Sequence, residues 1–285
     1  MHALTPINAG PVDVADAGWA TRLRYAVTDG LVVARRNLTH VRHVPEKLLD
    51  VTAQPLIFVL LFSYVFGSAI HVPGSGYRSY LMGGIFVQTM AFASMATALG
   101  MADDMAKGVI DRFRALPMAR SAVLVGRTTA DLAANLVALA VLAGTGLAVG
   151  WRIHASLASA LAGLALLTLF GYAMTWVGTL VGLLVRAPDA AQTFGLMIVF
   201  PLTFVANTFV PTSGMPAWLR TIVDWNPISA VAAACRELFG NQPPGAAAGA
   251  WPLEHAVPAA FAWCLAMIAV CLPLAVRRYR TATSR

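Results

Sequence analysis

The sequence predicts an all-α integral membrane protein with six transmembrane helices. Of its 285 residues, 58% are hydrophobic and 12% are charged, whereas soluble domains average about 25% charged residues. The mean hydropathy is +0.69, and several uncharged runs reach or exceed the roughly 20 residues that a helix needs to cross a bilayer. The fourth and fifth runs exceed one crossing, so we expect their ends to tilt, to extend outside the bilayer or to re-enter it. The candidate spans are Val51–Ile70, Leu81–Met101, Leu132–Gly150, Ala155–Val185, Ala190–Leu219 and Ala256–Val276.

The basic residues predict that both termini are cytoplasmic. Lysine and arginine concentrate in cytoplasmic segments of membrane proteins, and all but four of the twenty basic residues here fall in the termini or in the loops after the second and fourth runs. We therefore attribute the net charge of +7 to basic residues that set the membrane topology and contact anionic lipids, not to nucleic-acid binding. Arginine greatly outnumbers lysine, which favours a GC-rich bacterium and hence a multi-pass protein of the bacterial cytoplasmic (plasma) membrane. The four exceptions are Arg78, Arg152, Arg220 and Arg236.

The segments outside the spans differ in character. Residues 1–18 are polar and contain Pro and Gly, so they predict a flexible N-terminal tail. Residues 19–44 carry an apolar helical stripe with arginines away from it, the pattern of an interfacial amphipathic helix, although a soluble cytosolic helix remains the alternative. The six spans occupy residues 45–276, and residues 277–285 form a basic cytoplasmic tail. The interfacial pattern rests on Trp19, Arg24, Arg35 and Arg36.

A charged stretch separates the second and third runs. Its apolar positions recur every three or four residues and so share one helical face, and oppositely charged residues stand four positions apart. We expect a cytoplasmic amphipathic helix within the loop 102–127, ended by Pro117, that offers contacts to a partner; a solvated connector is the alternative. The expected contact residues are Asp103, Asp104, Met105, Lys107, Val109, Asp111, Arg112, Phe113 and Arg114.

The outer segment between the fifth and sixth runs, residues 209–255, is the longest predicted outside the cell. It holds Trp218, Trp225 and Trp251, which suit a membrane interface. Its middle, 226–238, is a moderately apolar helix too short to span a bilayer. We expect a re-entrant or outer-surface helix there.

The sequence contains no motif for catalysis or ion coupling. It lacks a GxxxxGK[ST] phosphate loop, its three cysteines have no metal-ligand spacing, and its six histidines lie in loops or the tail. All thirteen acidic residues lie in tails, loops or span ends, with Asp50 and Asp131 closest to the spans, so ion-coupled transport lacks its usual intramembrane carboxylates. We expect no enzyme activity, no metal and no cofactor in this chain. A permease powered by a separate ATPase and a non-transporting membrane scaffold remain open.

Some polar and aromatic residues within the spans are candidates to line a translocation path. Each is at least as consistent with hydrogen bonding between helices, so both roles stay open. Pro201 is a candidate kink in the fifth span. The path candidates are Gln54, Tyr64, Gln88, Tyr172 and Asn207, with Asn135, Thr175 and Gln192 as further members.

Several segments resemble those of a known family. Pro55–Gly67 resembles the first span of type-2 ATP-binding-cassette (ABC) exporter permeases, and Tyr80–Thr89 and Ala102–Arg127 resemble the daunorubicin-resistance permease branch. The pair Asn226-Pro227 followed by Arg236 also matches the family pattern. The resemblance covers roughly residues 46–240.

The resemblance implies a specific organisation. Such permeases have six spans and pair with a second copy or a sister permease, and each half binds an ABC ATPase subunit that holds the ATP and magnesium. The loop after the second span is the main coupling element, seated in a cleft of the ATPase, and the interfacial helix contributes to that contact. The implied cargo is a hydrophobic, anthracycline-like drug or a lipid-like molecule moved outward. A glycolipid or polysaccharide-precursor exporter is the alternative cargo class.

Overall fold

The computed structural model describes residues 53, 56–66, 76–108, 120–185, 187–243 and 250–282. Within these ranges every regular element is a helix. The predicted N-terminal tail, the interfacial helix 19–44 and most of the charged loop, 109–119, lie outside the described residues, as do Gln54 and the last residues of the basic tail.

The described helices follow the uncharged runs in order. The short apolar helix α1, Leu56–Val65, overlaps a π-helical turn at Phe62–Phe66 that extends one residue further. The remaining helices are α2 (Tyr77–Ala106), α3 (Arg120–Val149), α4 (Leu157–Leu184), α5 (Pro188–Phe204), α6 (Ala217–Asp224), α7 (Pro227–Leu238), α8 (Trp251–Glu254) and α9 (Ala256–Ala282), with a 3-10 turn at Thr212–Gly214.

Four of the described helices are long and apolar enough to cross a membrane, against the six expected spans. They are α2, α3 from Asp131 onward, α4 and α9 to Tyr279. The fourth run forms one helix of 28 residues. Ser156 caps its N terminus, because the Ser156 hydroxyl accepts a hydrogen bond from the Ser159 N–H. The first run is described only over the short helix α1.

The fifth run, Ala190–Leu219, is not one continuous span. Its helix, α5, ends at Phe204 after 17 residues, about 25 Å of helix against the roughly 30 Å of a bilayer core. Pro201 lies inside its last turn and cannot donate a backbone hydrogen bond. The Asn226 side-chain amide donates to the backbone oxygens of Leu202 and Val205 at 2.7 and 2.6 Å. Pro201 thus removes a hydrogen bond to the preceding turn, and the Asn226 side chain supplies donors to carbonyls at the end of the helix.

Helix α2 is the centre of the bundle and packs against α3, α4, α5 and α7. Its crossing with α4 depends on small residues at Gly178 and Gly182. A Cβ at Gly178 would collide with the Ser94 carbonyl oxygen, and one at Gly182 would press on the Ala98 carbonyl. Small residues spaced four apart are how membrane helices approach backbone to backbone.

The short helix α7 of the outer segment is buried, not exposed on a surface. It packs against α2, α4 and α9, and all of its residues from Ile228 to Arg236 are buried. The Asn226 side chain caps it by accepting from the Ile228 N–H at 2.8 Å. Beyond its end, Phe239 packs with Phe86 and Trp151, with ring centroids 5.4–5.8 Å apart.

Of the expected amphipathic helix within the loop 102–127, the structure describes the charged stretch only as far as Gly108. Its first residues are the last turn of α2, which ends at Ala106. Gly108 follows with φ +62°, and its N–H donates to the Met105 carbonyl at 3.2 Å. A glycine in the left-handed region is the common terminator of a helix. The expected pair between Asp103 and Lys107 is present at 2.7 Å.

Candidate functional site

A cavity of about 570 Å³ lies between α1, α2, α3 and α5. Its wall is mostly apolar, with a few amides and hydroxyls and, among the described lining residues, one charged side chain, Asp131. This combination of apolar wall and few polar groups is typical of small-molecule sites, which range over roughly 300–1,000 Å³. The lining residues are Phe58, Gln88, Thr89, Phe92, Ala93, Met95, Ala96, Thr97, Leu99, Asp131, Ala134, Asn135, Ala138, Gln192 and Leu196.

The structure separates the path candidates into different environments. Gln88 lines the cavity, together with Asn135 and Gln192. Tyr64 lies on α1 and is 60% exposed, and the Arg78 guanidinium carbon lies 5.1 Å from the centroid of its ring. Tyr172 packs edge to face on Trp176, at 6.1 Å between centroids. These two tyrosines are not among the cavity-lining residues.

The charged end of the bundle is formed by the C terminus of α2 and the N-terminal half of α3, and it closes the cavity on one side. The Thr97 hydroxyl of α2 donates to Asp131 Oδ2 of α3 at 2.9 Å. One turn earlier on α3, Arg127 forms an ion pair with Asp104 of α2. A Cβ at Gly100 would collide with the Arg127 guanidinium, so this glycine makes room for the arginine between the helices.

The expected contact residues divide between the described and undescribed parts of the chain. Asp103, Asp104, Met105 and Lys107 lie at the charged end, in or just after the last turn of α2. Lys107 is exposed, and its hydrogen bond to Asp103, reinforced by the charge of that carboxylate, raises the pKa of the lysine above its usual value. Val109, Asp111, Arg112, Phe113 and Arg114 lie outside the described residues.

Asp131 is a cavity-lining residue whose surroundings the sequence did not predict. Its position at a span end agrees with the sequence, since the apolar part of α3 begins there. The sequence did not reveal that it faces a cavity. A usable signal existed, because Asp131, Asn135 and Ala138 stand at i, i+4 and i+7 on one helical face.

A second polar network lies at the opposite end of the bundle, around the buried Arg236 of α7. Its Nε donates to the Tyr80 carbonyl at 2.8 Å, and its Nη2 donates to the carbonyls of Asn207 and Thr208 at 2.8 and 3.0 Å. The guanidinium also lies 3.7 Å above the Tyr80 ring. A Cβ at Gly84 would collide with the Thr208 carbonyl, so the chain after α5 runs directly over α2.

Asn207 belongs to this network and is not among the residues that line the cavity. Its Oδ1 accepts from Arg236 Nη1 at 3.2 Å, and its carbonyl accepts from the Tyr80 hydroxyl at 2.6 Å. Its backbone N–H donates to the Ser229 hydroxyl at 3.0 Å. Nearby in the outer segment, burial raises the pKa of the Asp224 carboxyl above its usual value.

The comparison with known families shows which family the chain belongs to. The family model described as "ABC-2 type transporter" matches residues 30–239. The chain belongs to the ABC-2 type transporter family. It is a multi-pass membrane protein with several apolar helices. Among the described residues, no group of three or more His, Cys, Asp or Glu could hold a metal ion.

Curated relatives of this ABC-2 chain are similar over nearly its whole length. The daunorubicin resistance ABC transporter permease protein DrrB1 of Streptomyces coeruleorubidus is 31% identical over 282 residues, 98% of this chain and 96% of the relative. The probable doxorubicin resistance permease protein DrrC of Mycobacterium tuberculosis is 24% identical over 97% of both chains. The doxorubicin resistance permease protein DrrB of the same organism is 25% identical over 73% of this chain and 74% of the relative.

Proposed function

We propose that this chain is the transmembrane permease subunit of a bacterial ABC exporter that moves hydrophobic, anthracycline-like drugs outward. The observation that carries the proposal is the 31% identity over 98% of the chain to a daunorubicin resistance permease. The cavity supports it, because about 570 Å³ suits a drug-sized molecule. A glycolipid or polysaccharide precursor would need a much larger enclosure, so the cavity volume favours the drug over that cargo.

The proposed membrane topology has six spans with both termini in the cytoplasm. The four long apolar helices support this arrangement, with α1 and α5 as parts of the first and fifth spans. In this orientation the charged end of the bundle faces the cytoplasm, as the distribution of basic residues favours. The buried helix α7 then lies in the outer leaflet as a re-entrant element.

The proposed assembly is a dimer with a second copy or a sister permease. Large apolar side chains on α1 and α5 are exposed, and such side chains require either lipid or another protein chain against them. These residues are Ile57, Tyr64, Val65, Phe194, Met197, Ile198 and Phe200.

Energy for transport is proposed to come from a separate ABC ATPase that holds ATP and magnesium and docks on the charged end. ATP binding can shift the permease between states only through contacts that differ between those states. The end of α2 is well placed for such contacts, because Asp104 and Arg127 connect it to α3 beside the cavity. Residues 109–114 and the segment 19–44 would complete the contact.

The test is ATP-dependent doxorubicin uptake into inverted membrane vesicles from cells that make this chain and its partner ATPase. We expect uptake that requires both subunits and disappears when the ATPase carries an inactivated phosphate loop. If the complex assembles and hydrolyses ATP but moves no drug, the drug-export function is wrong. If no ATPase associates with the chain, a membrane scaffold is favoured instead.

A further inference from the structure

We propose that the cavity binds an amphipathic organic cation and that Asp131 is the residue that recognises its positive charge. This inference rests on the proposed function and adds the residue that selects the charge of the cargo. The body of the cargo would lie against the apolar wall, and its ammonium would contact the carboxylate at the charged end.

Among the described residues beside the cavity, the basic side chains form ion pairs with carboxylates other than Asp131. Arg127 forms its ion pair with Asp104, and Lys107 pairs with Asp103. Asp131 is then the carboxylate left without a full ionic partner, although Arg127 stands one turn away on the same helix. Within the described residues, the charged end therefore places the Asp131 carboxylate at the cavity wall.

The hydrogen bonding of Asp131 also leaves room for a ligand. The Thr97 hydroxyl donates to Oδ2 at 2.9 Å, and no described residue donates to Oδ1. Among the described residues this carboxylate therefore has one neutral donor, at the edge of a mostly apolar wall. A ligand ammonium would add a positive charge and a further donor, and charge-assisted hydrogen bonds of this kind are the strong ones.

The rest of the wall suits an extended apolar body. Phe58 of α1 and Phe92 and Met95 of α2 line the cavity, and aromatic and thioether groups adapt well to flat ring systems. Gln88 lies nine residues before Thr97 on α2, a separation of about 13.5 Å along the helix axis. A molecule could therefore reach from the amide of Gln88 to the carboxylate of Asp131.

The alternative role for Asp131 is structural, as the acceptor that ties α3 to α2 through Thr97. The two roles make different demands on the side chain. Recognition of a cation needs the charge, whereas the tie needs only a hydrogen-bond acceptor, which an asparagine side chain also provides.

The experiment measures binding to the purified full-length permease in detergent by the fluorescence anisotropy of two matched compounds. Doxorubicin carries an ammonium, and N-acetyldoxorubicin has the same ring system with a neutral amide. We expect the wild-type protein to bind doxorubicin at least tenfold more tightly. Asp131→Asn should weaken doxorubicin binding about tenfold and change N-acetyldoxorubicin binding less than twofold.

Three control variants separate charge from structure. Glu254→Gln removes one negative charge at an exposed position of α8 and should leave the preference unchanged. Thr97→Val removes the tie between the helices but keeps the carboxylate, so the preference should persist. Asp131→Glu keeps the charge and should retain most of the preference.

The outcomes distinguish this inference from the proposed function. Equal wild-type affinity for the two compounds, an unchanged preference in Asp131→Asn, or loss of the preference in Asp131→Glu would overturn cation recognition and leave drug export intact. Wild-type protein that binds neither compound would contradict both proposals.

Discussion

Two charged residues of this permease, one at each end of the bundle, have different surroundings. At one end, the guanidinium of Arg236 is 2% exposed and donates to carbonyls of α2 and of the chain after α5. At the other end, Asp131 borders a cavity with a single neutral hydrogen-bond donor. The first group is satisfied by the protein itself, which favours a structural role. The second lines a cavity, which favours a role in binding.

The structural role of Arg236 is testable with Arg236→Lys. An ammonium cannot reproduce the planar fork that reaches Tyr80, Asn207 and Thr208 together, so buried carbonyls would lose their donors. We expect the free energy of unfolding to fall by about 2 to 4 kcal/mol, measured as a lower thermal midpoint of the protein in detergent. The matched control is Arg78→Lys at an exposed site, which should cost less than about 1 kcal/mol. Equal effects of the two variants would contradict the structural role.

Among the elements, the packing of α2 on α4 depends on contact between their backbones. The end of α5 depends instead on a side chain from a later part of the chain. The first contact requires small residues at fixed positions of α4. The end of α5 depends on Asn226, more than twenty residues later in the chain. The order of these helices can be read from the sequence. Where a helix ends, and how closely it approaches its neighbour, depends on residues elsewhere in the chain.

The close approach of α2 and α4 predicts a large effect for Gly178→Ala. The added methyl would meet the Ser94 carbonyl, and because both groups belong to packed helices the helices must move apart. We expect a loss of about 1 to 3 kcal/mol of stability, seen in the thermal midpoint. Gly144→Ala is the control, since nothing lies within 4 Å of a Cβ there and helix propensity favours alanine. A harmless Gly178→Ala would show that the helices are not in backbone contact.

At the scale of the whole molecule, the cavity and the proposed ATPase contact share one end of the bundle. The last turn of α2 carries Asp104, whose partner Arg127 stands one turn from Asp131. A movement of this turn would therefore reach the cavity through two neighbouring side chains. The proposed ATPase contact and the proposed cargo site are therefore close together in the bundle.

The docking proposal predicts that the double substitution Asp111→Arg with Arg112→Glu prevents association with the ATPase. Reversing both charges leaves the net charge and membrane insertion unchanged but disrupts complementary contacts in the loop. We expect at least a tenfold loss of co-purified ATPase, with normal amounts of permease in the membrane. A charge reversal at Glu254, on the outer segment, should have no effect. Normal co-purification of the double variant would rule out docking through these two residues.

The sequence alone determined the membrane class, the family and the order of the helices, because hydropathy and charge are sums over neighbouring residues. It also located Asp131 at the start of an apolar run and Lys107 four residues after Asp103. The tertiary structure decided where α5 ends, that α7 is buried and that Asp131 faces a cavity. These features depend on residues far apart in the chain, such as Tyr80 and Arg236, 156 positions apart. Periodicity places a side chain on a face of its helix, and only the packing of the helices determines what that face meets.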